Sequence, residues 1–277
     1  MRWLAVALVA VALAGSAGAA SGPATGSAAF LAGRQSASGG FAEQGRAPDA
    51  PLTAWAALGL VAAGGNQAGR AQAAAFLRAR MTDVQADADL ALRVVALAAL
   101  GDTIDDSVLA RLRRHRPDVL VNETIWTVLA LGAAGEPAPA NLVQAILAGQ
   151  AKSGGFPWSK GGIADSNDTA AAIEALRVAG VRGKPVTRAV AFLRSFQRRD
   201  GGFELTRGRG SDAQSTAWAI QGLVAAGRKP PRSAFAYLAA LRRPDGSYRY
   251  SRRYATTPVW VTSQVLAALA KKPFPLD

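Results

Sequence analysis

A short unit recurs along this chain, and its recurrence limits the fold more than any other feature. Phe30-Leu31-x3-Gln35-x3-Gly39-Gly40-Phe41 returns as Phe192-Leu193-x3-Gln197-x3-Gly201-Gly202-Phe203 and as Ile146-Leu147-x2-Gln150-x3-Gly154-Gly155-Phe156. A degenerate copy reads Tyr237-Leu238-x3-Arg242-x3-Gly246-Ser247-Tyr248. Each copy lies between two helical stretches. The second stretches align on Thr53, Thr124, Thr169 and Thr216, with Leu90 and Val259 taking the threonine position in two weaker copies. Spacings of 37, 34, 45, 47 and 43 residues give six helix pairs, and self-similarity on that scale is the mark of a repeat architecture.

Helical phase separates the two sides of each second helix. Leu60, Leu97, Leu131, Leu176, Leu223 and Leu266 all stand seven residues past the aligned position. Eleven past it stand five glycines and Ala270, where a helix C-terminus is expected. At about 100° per residue these positions share a packing face. The opposite face carries Asn122, Trp126 and Leu129; Asn167, Ala171 and Glu174; Gln214, Trp218 and Gln221; and Thr257, Val261 and Gln264. In the first two copies it carries Pro51, Trp55 and Leu58, then Ala88, Leu92 and Val95. Buried unpaired amides are costly and tryptophans avoid bulk water, so a shared central cavity suits this face best. An open superhelix of helix pairs is the competing arrangement.

Composition agrees with close-packed helices: 50% of residues are hydrophobic, only 7% aromatic, and alanine supplies much of the apolar count. The absence of cysteine excludes disulfides, Cys-ligated zinc, iron–sulfur clusters and a Cys nucleophile. A single histidine, His115, rules out a multi-histidine metal site, and in Arg111-Leu-Arg-Arg-His-Arg-Pro it reads as an exposed turn residue. No metal and no cofactor are expected. Met1-Arg2, the apolar run Trp3–Ala14 and Ala17-Gly18-Ala19 predict a signal peptide over 1–19, a single mature domain over 20–277 and a secreted, monomeric product. No transmembrane segment is expected after cleavage. Residues 1–140 carry no net charge, whereas 141–277 carry 21 basic and 8 acidic side chains. Outside the cell that bias would meet anionic envelope polymers or lipid head groups rather than nucleic acid.

The Phe/Tyr-Leu-x3-Gln-x3-Gly-Gly-Phe units resemble the QW-type repeats of the squalene cyclase and protein prenyltransferase superfamily over nearly all of residues 26–270. The resemblance implies an all-α (α/α)6 toroid, with second helices forming the inner ring and first helices the outer. Asp165-Ser166-Asn167-Asp168-Thr169-Ala170 then lies where class II terpene cyclases carry Asp-x-Asp-Asp-Thr-Ala, whose middle aspartate protonates the substrate. Here that position is Asn167, which cannot act as a general acid. Asp165 recurs as Asp49 and Asp212, each four residues before a threonine, and reads as a helix cap. The zinc of protein prenyltransferases has no ligand set in this chain.

These features rank the functions. First comes a noncatalytic binder of an isoprenoid, lipid or similar ligand, held in an axial cavity by Trp55, Trp126, Trp218, Asn122, Asn167, Gln214, Gln221 and Gln264. Second is cyclase-like chemistry on an isoprenoid, with Asp168 or Glu174 as candidate acid. Third is action on carbohydrate or a surface-interaction role. A further reading has the three tryptophans simply filling the centre, with no ligand at all.

Overall fold

The computed structural model describes residues 23–82 and 84–276; the expected signal peptide lies outside them. Twelve helices run in six pairs: α1 (Pro23–Ala32) and α2 (Ala50–Ala63); α3 (Gln67–Arg78) and α4 (Asp87–Ala99); α5 (Asp106–Arg113) and α6 (Val121–Ala133); α7 (Ala140–Ala148) and α8 (Ser166–Val178); α9 (Lys184–Arg194) and α10 (Ala213–Ala225); α11 (Arg232–Ala240) and α12 (Pro258–Ala270). The even-numbered helices pack each on the next, and α12 returns to α2, closing an inner ring. The odd-numbered helices lie outside it. All six phase-matched leucines are buried. Among the described residues no helix is long and apolar enough to cross a membrane.

The recurring loop explains why consecutive pairs associate. Gln35 donates through Nε2 to the carbonyls of Gly39, within its own loop, and of Gly69, on the next outer helix, at 2.9 and 2.7 Å. Gln150 does the same to Gly154 and Pro185, and Gln197 to Gly201 and the Ser233 hydroxyl. The first glycine of each loop has positive φ and sits against backbone: a Cβ on Gly39, Gly154, Gly201 or Gly246 would come within 2.3–2.7 Å of a carbonyl oxygen of the next outer helix. Only glycine fits such a place. The loop aromatics are pinned from the other side, since Phe41, Phe156 and Phe203 donate their N–H to Thr53, Thr169 and Thr216 at 2.9 Å. Each of those threonines donates in turn to the carbonyl of the capping aspartate. Asp49, Asp165 and Asp212 are helix caps, as their spacing predicts, accepting from Leu52, Asp168 and Ser215 N–H at 2.7–2.8 Å. Two small antiparallel ladders, β1 (Phe156–Pro157) with β2 (Ala164–Asp165) and β3 (Phe203–Glu204) with β4 (Ser211–Asp212), set aromatic opposite cap.

Two sequence expectations are corrected. In the sixth copy the residue equivalent to Thr216 is Thr262, not Val259: Tyr248 donates its N–H to Thr262 Oγ1 at 3.0 Å. Packing agrees, because Gly59 abuts Ser263 as Gly222 abuts Ala170. This places Gln264 at the tryptophan position of its helix. His115 is not an exposed turn residue but 6% exposed. Its Nδ1 pairs with Asp87 at 2.9 Å and its Nε2 with Thr124 Oγ1 at 3.2 Å. The loop before α6 lacks the Gly-Gly-Phe unit, and the imidazole occupies the threonine that a loop N–H occupies elsewhere.

The ring closes through the same devices. Gly246 packs on Gly26, and Ser27 donates its hydroxyl to the Gly246 carbonyl at 2.6 Å. Glu43 receives the N–H groups of Val259 and Trp260 at 3.2 and 3.0 Å, capping α12, whose own N-cap Thr257 supplies no side-chain bond. A carboxylate suits that end, where free N–H groups and the helix dipole favour negative charge.

Candidate functional site

The expected site residues lie on three successive levels of the inner helices. Asn122, Asn167 and Gln214 are each the second residue of their helix and half-buried at the N-terminal mouth. Trp55, Trp126 and Trp218 follow one turn deeper, on α2, α6 and α10, alternate members of the ring. Their rings form a pinwheel with centroids 5.6, 6.0 and 6.0 Å apart and interplanar angles of 84–87°. Edge-to-face contact of that kind suits the aromatic quadrupole. Glu174 and Gln221 lie on the next turn of α8 and α10, fully buried, and Gln264 of α12 is 1% exposed.

The centre is not an open cavity lined by the tryptophans. It is filled by Phe274, from the segment that follows α12. The Phe274 ring lies 5.8, 6.4 and 5.6 Å from those of Trp55, Trp126 and Trp218 and is 2% exposed. Its N–H donates to Glu174 Oε2 at 3.3 Å, and Gln221 Nε2 donates to the Lys272 carbonyl at 3.5 Å. The sequence carried no sign of Phe274, which stands outside the repeats. Four of the six buried side-chain polar atoms left without partners among the described residues lie here: Glu174 Oε1, Gln221 Oε1, and both Oε1 and Nε2 of Gln264. Each unpaired group of this kind is costly in an apolar interior.

Burial drives the Glu174 carboxyl well above its ordinary pKa, only partly offset by the Phe274 N–H. At the N-terminal mouth, burial and the neighbouring Asp165 push Asp168 up to about 8. The two carboxyls share a hydrogen bond, and Asn122 Nδ2 donates to Asp168 Oδ1 at 2.5 Å. Asp165 is also raised by burial. Both carboxyls of the pair are therefore harder to ionise than free ones, and they lie clasped between α6 and α8.

The basic half of the chain forms a separate cleft of about 530 Å³ outside the ring centre, with Arg209, Tyr237, Tyr250, Arg252 and Tyr254 on its walls. Tyr237 donates its hydroxyl to the Ser211 carbonyl at 2.6 Å, and Arg252 and Arg253 lie 6.0 and 5.4 Å from the rings of Tyr237 and Tyr254.

Fold and site define an α/α toroid of the kind built by terpene cyclases and protein prenyltransferases. Among solved structures, the chain resembles the type II terpene cyclase MstE from Scytonema in complex with its substrate geranylgeranyl dihydroxybenzoate, at 16% identity over 90% of this chain and 96% of that one, with a TM-score of 0.62. It resembles Candida albicans protein geranylgeranyltransferase-I complexed with GGPP at 13% identity over 79% and 83%, TM-score 0.62. The ent-copalyl diphosphate synthase from Streptomyces platensis matches at 22% identity and TM-score 0.58; 80% of this chain spans half the length of that enzyme. No family model matches the chain. No curated protein matches it either.

Proposed function

We propose that the protein is a noncatalytic binder of a small apolar or amphipathic molecule of isoprenoid type, taken into the ring centre. The observation that carries this reading is the set of unpaired polar atoms on Glu174, Gln221 and Gln264, buried beside three tryptophan faces. A centre selected only for stability would hold apolar side chains there, because unpaired buried amides cost more than they return. Tryptophan faces and a few hydrogen-bonding groups are what an amphipathic ligand needs. The solved relatives bound to geranylgeranyl compounds lend the ligand class by analogy of fold.

Acid-initiated cyclisation is the second reading, favoured by the two candidate acids whose carboxyls burial makes harder to ionise, Asp168 and Glu174. Against it, the Asp168 proton is already engaged with Asp165 and its other face with Asn122, so the group is a clasp between helices. Asn167 beside it has no proton to give. We place the activity outside the cytoplasm on the strength of the apolar run Trp3–Ala14.

The test is a titration with farnesol, followed by tryptophan fluorescence and by product analysis. The expected result is saturable quenching with farnesol recovered intact, and binding weakened by roughly 1–3 kcal/mol in Trp218→Ala through lost apolar contact. No saturable change up to the solubility limit, with Phe274 present or replaced by alanine, overturns the reading. A cyclised product that Asp168→Asn abolishes would establish the second.

A further inference from the structure

The segment after α12 occupies the place where a ligand would sit. Lys271 turns the chain with φ +55°, and Lys271 and Lys272 return their N–H groups to Ala268 and Ala267, so the segment doubles back toward the axis. It carries an aromatic ring into the tryptophan pinwheel and a backbone N–H to Glu174. The two bonds that tie it to Glu174 and Gln221 are 3.3 and 3.5 Å, at the long end of the range. Phe274 itself belongs to no repeat, and the bonds described at the seam of the ring come from Ser27, Glu43 and Gly246 instead. At the C-terminal mouth, a groove of about 640 Å³ runs beside Pro275, walled by Gly132, Glu136, Pro137, Val178 and Gly180.

We infer that residues 272–276 are a displaceable plug, with Phe274 standing in for the ligand. This rests on the reading of the ring centre as a binding site. Withdrawal of the segment would join the groove to the space among the tryptophans, and would free Glu174 Oε2 beside the already unpartnered Oε1. The site thereby takes a molecule with an apolar group about the size of a phenyl ring or a prenyl unit, joined to a hydroxyl or amide N–H. The donor replaces the Phe274 N–H on Glu174; the apolar group replaces its ring. Entry is from the C-terminal mouth, opposite the Asn167 end.

A plug competes with ligand, so the apparent affinity of the intact chain is reduced by the fraction of molecules in which the site stands open. Three proteins test this with farnesol as the probe: the intact chain, Phe274→Ala, and the chain shortened after Lys271. The expected result is binding roughly 10- to 100-fold tighter in both altered proteins, as the loss of one buried phenyl ring allows. A synthetic peptide with the sequence of residues 271–277, added to the shortened chain, should compete with farnesol, and the same peptide with alanine for phenylalanine should not. If the shortened chain fails to fold, Phe274→Ala and the intact chain carry the comparison. Equal affinity in these two overturns the plug while leaving the ring centre a binding site. Absence of farnesol binding in all the folded proteins overturns the site itself.

Discussion

At the scale of single residues, repetition made the structural roles readable. Leu131 and Leu176 hold equivalent places and both are fully buried. Replacing either by alanine should cost about 2–5 kcal/mol in chemical denaturation, as for other buried leucines. The aspartate caps were legible for the same reason, since each repeats four residues before a threonine. His115 was not, because a lone histidine in a turn has no periodic sign, and its partners Asp87 and Thr124 come from two other helices. Titration adds a prediction at this scale. The pKa of Asp168 is raised to about 8 and that of Asp212 to about 6, chiefly by burial. A carboxyl whose pKa is higher folded than unfolded binds more protons in the native state, so stability falls as pH rises between the two values. The melting temperature should therefore drop by at least about 3 °C between pH 5 and pH 8. Asp168→Asn, which mimics the protonated acid, should flatten the slope from pH 6 to 8; an unchanged slope would show that Asp168 is ionised in the native state.

At the scale of elements, the loop unit that marks the fold in the sequence is a clamp rather than a reactive centre. Its glutamine and first glycine engage the next outer helix while its aromatic is pinned to the inner helix of its own pair, and together they lock one helix pair to the next. Gly201→Ala forces an unfavourable φ and a contact near 2.5 Å with the Ser233 carbonyl, whereas Gln197→Ala only removes hydrogen bonds. Differential melting should rank Gly201→Ala as the more damaging, with Gln197→Ala losing about 1 kcal/mol per bond. The reverse order would mean that the loop adapts its backbone at little cost. Sequence phase separated the two faces of each second helix yet misplaced α12 by three residues. Three residues turn a helix by about 300°, close to a full turn, so Val259 and Thr262 present nearly the same face. Only the hydrogen bond from Tyr248 and the Gly59–Ser263 contact separate them.

At the scale of the whole molecule, six pairs together with the resemblance of the loop units to QW-type repeats were enough to expect a ring, but nothing in the sequence could show that the ring is filled. Phe274 lies beyond the last repeat, and no pattern ties it to tryptophans that stand 56 to 219 residues earlier. Closure itself can be tested at its seam. A Cβ on Gly59 would stand 2.8 Å from the Ser263 backbone on the seam between α2 and α12, and one on Gly222 would stand 2.9 Å from Ala170 inside the continuous run of repeats. Alanine at either site overpacks the contact, typically by about 1–3 kcal/mol, against about 1 kcal/mol gained in helix propensity. In a closed ring neither helix can retreat without disturbing its other neighbour, so Gly59→Ala and Gly222→Ala should lower stability by similar amounts, each in a single unfolding transition. In an open superhelix the ends are free to part. Gly59→Ala would then be neutral or stabilising while Gly222→Ala remained costly, and that outcome would place the first and sixth pairs apart in solution.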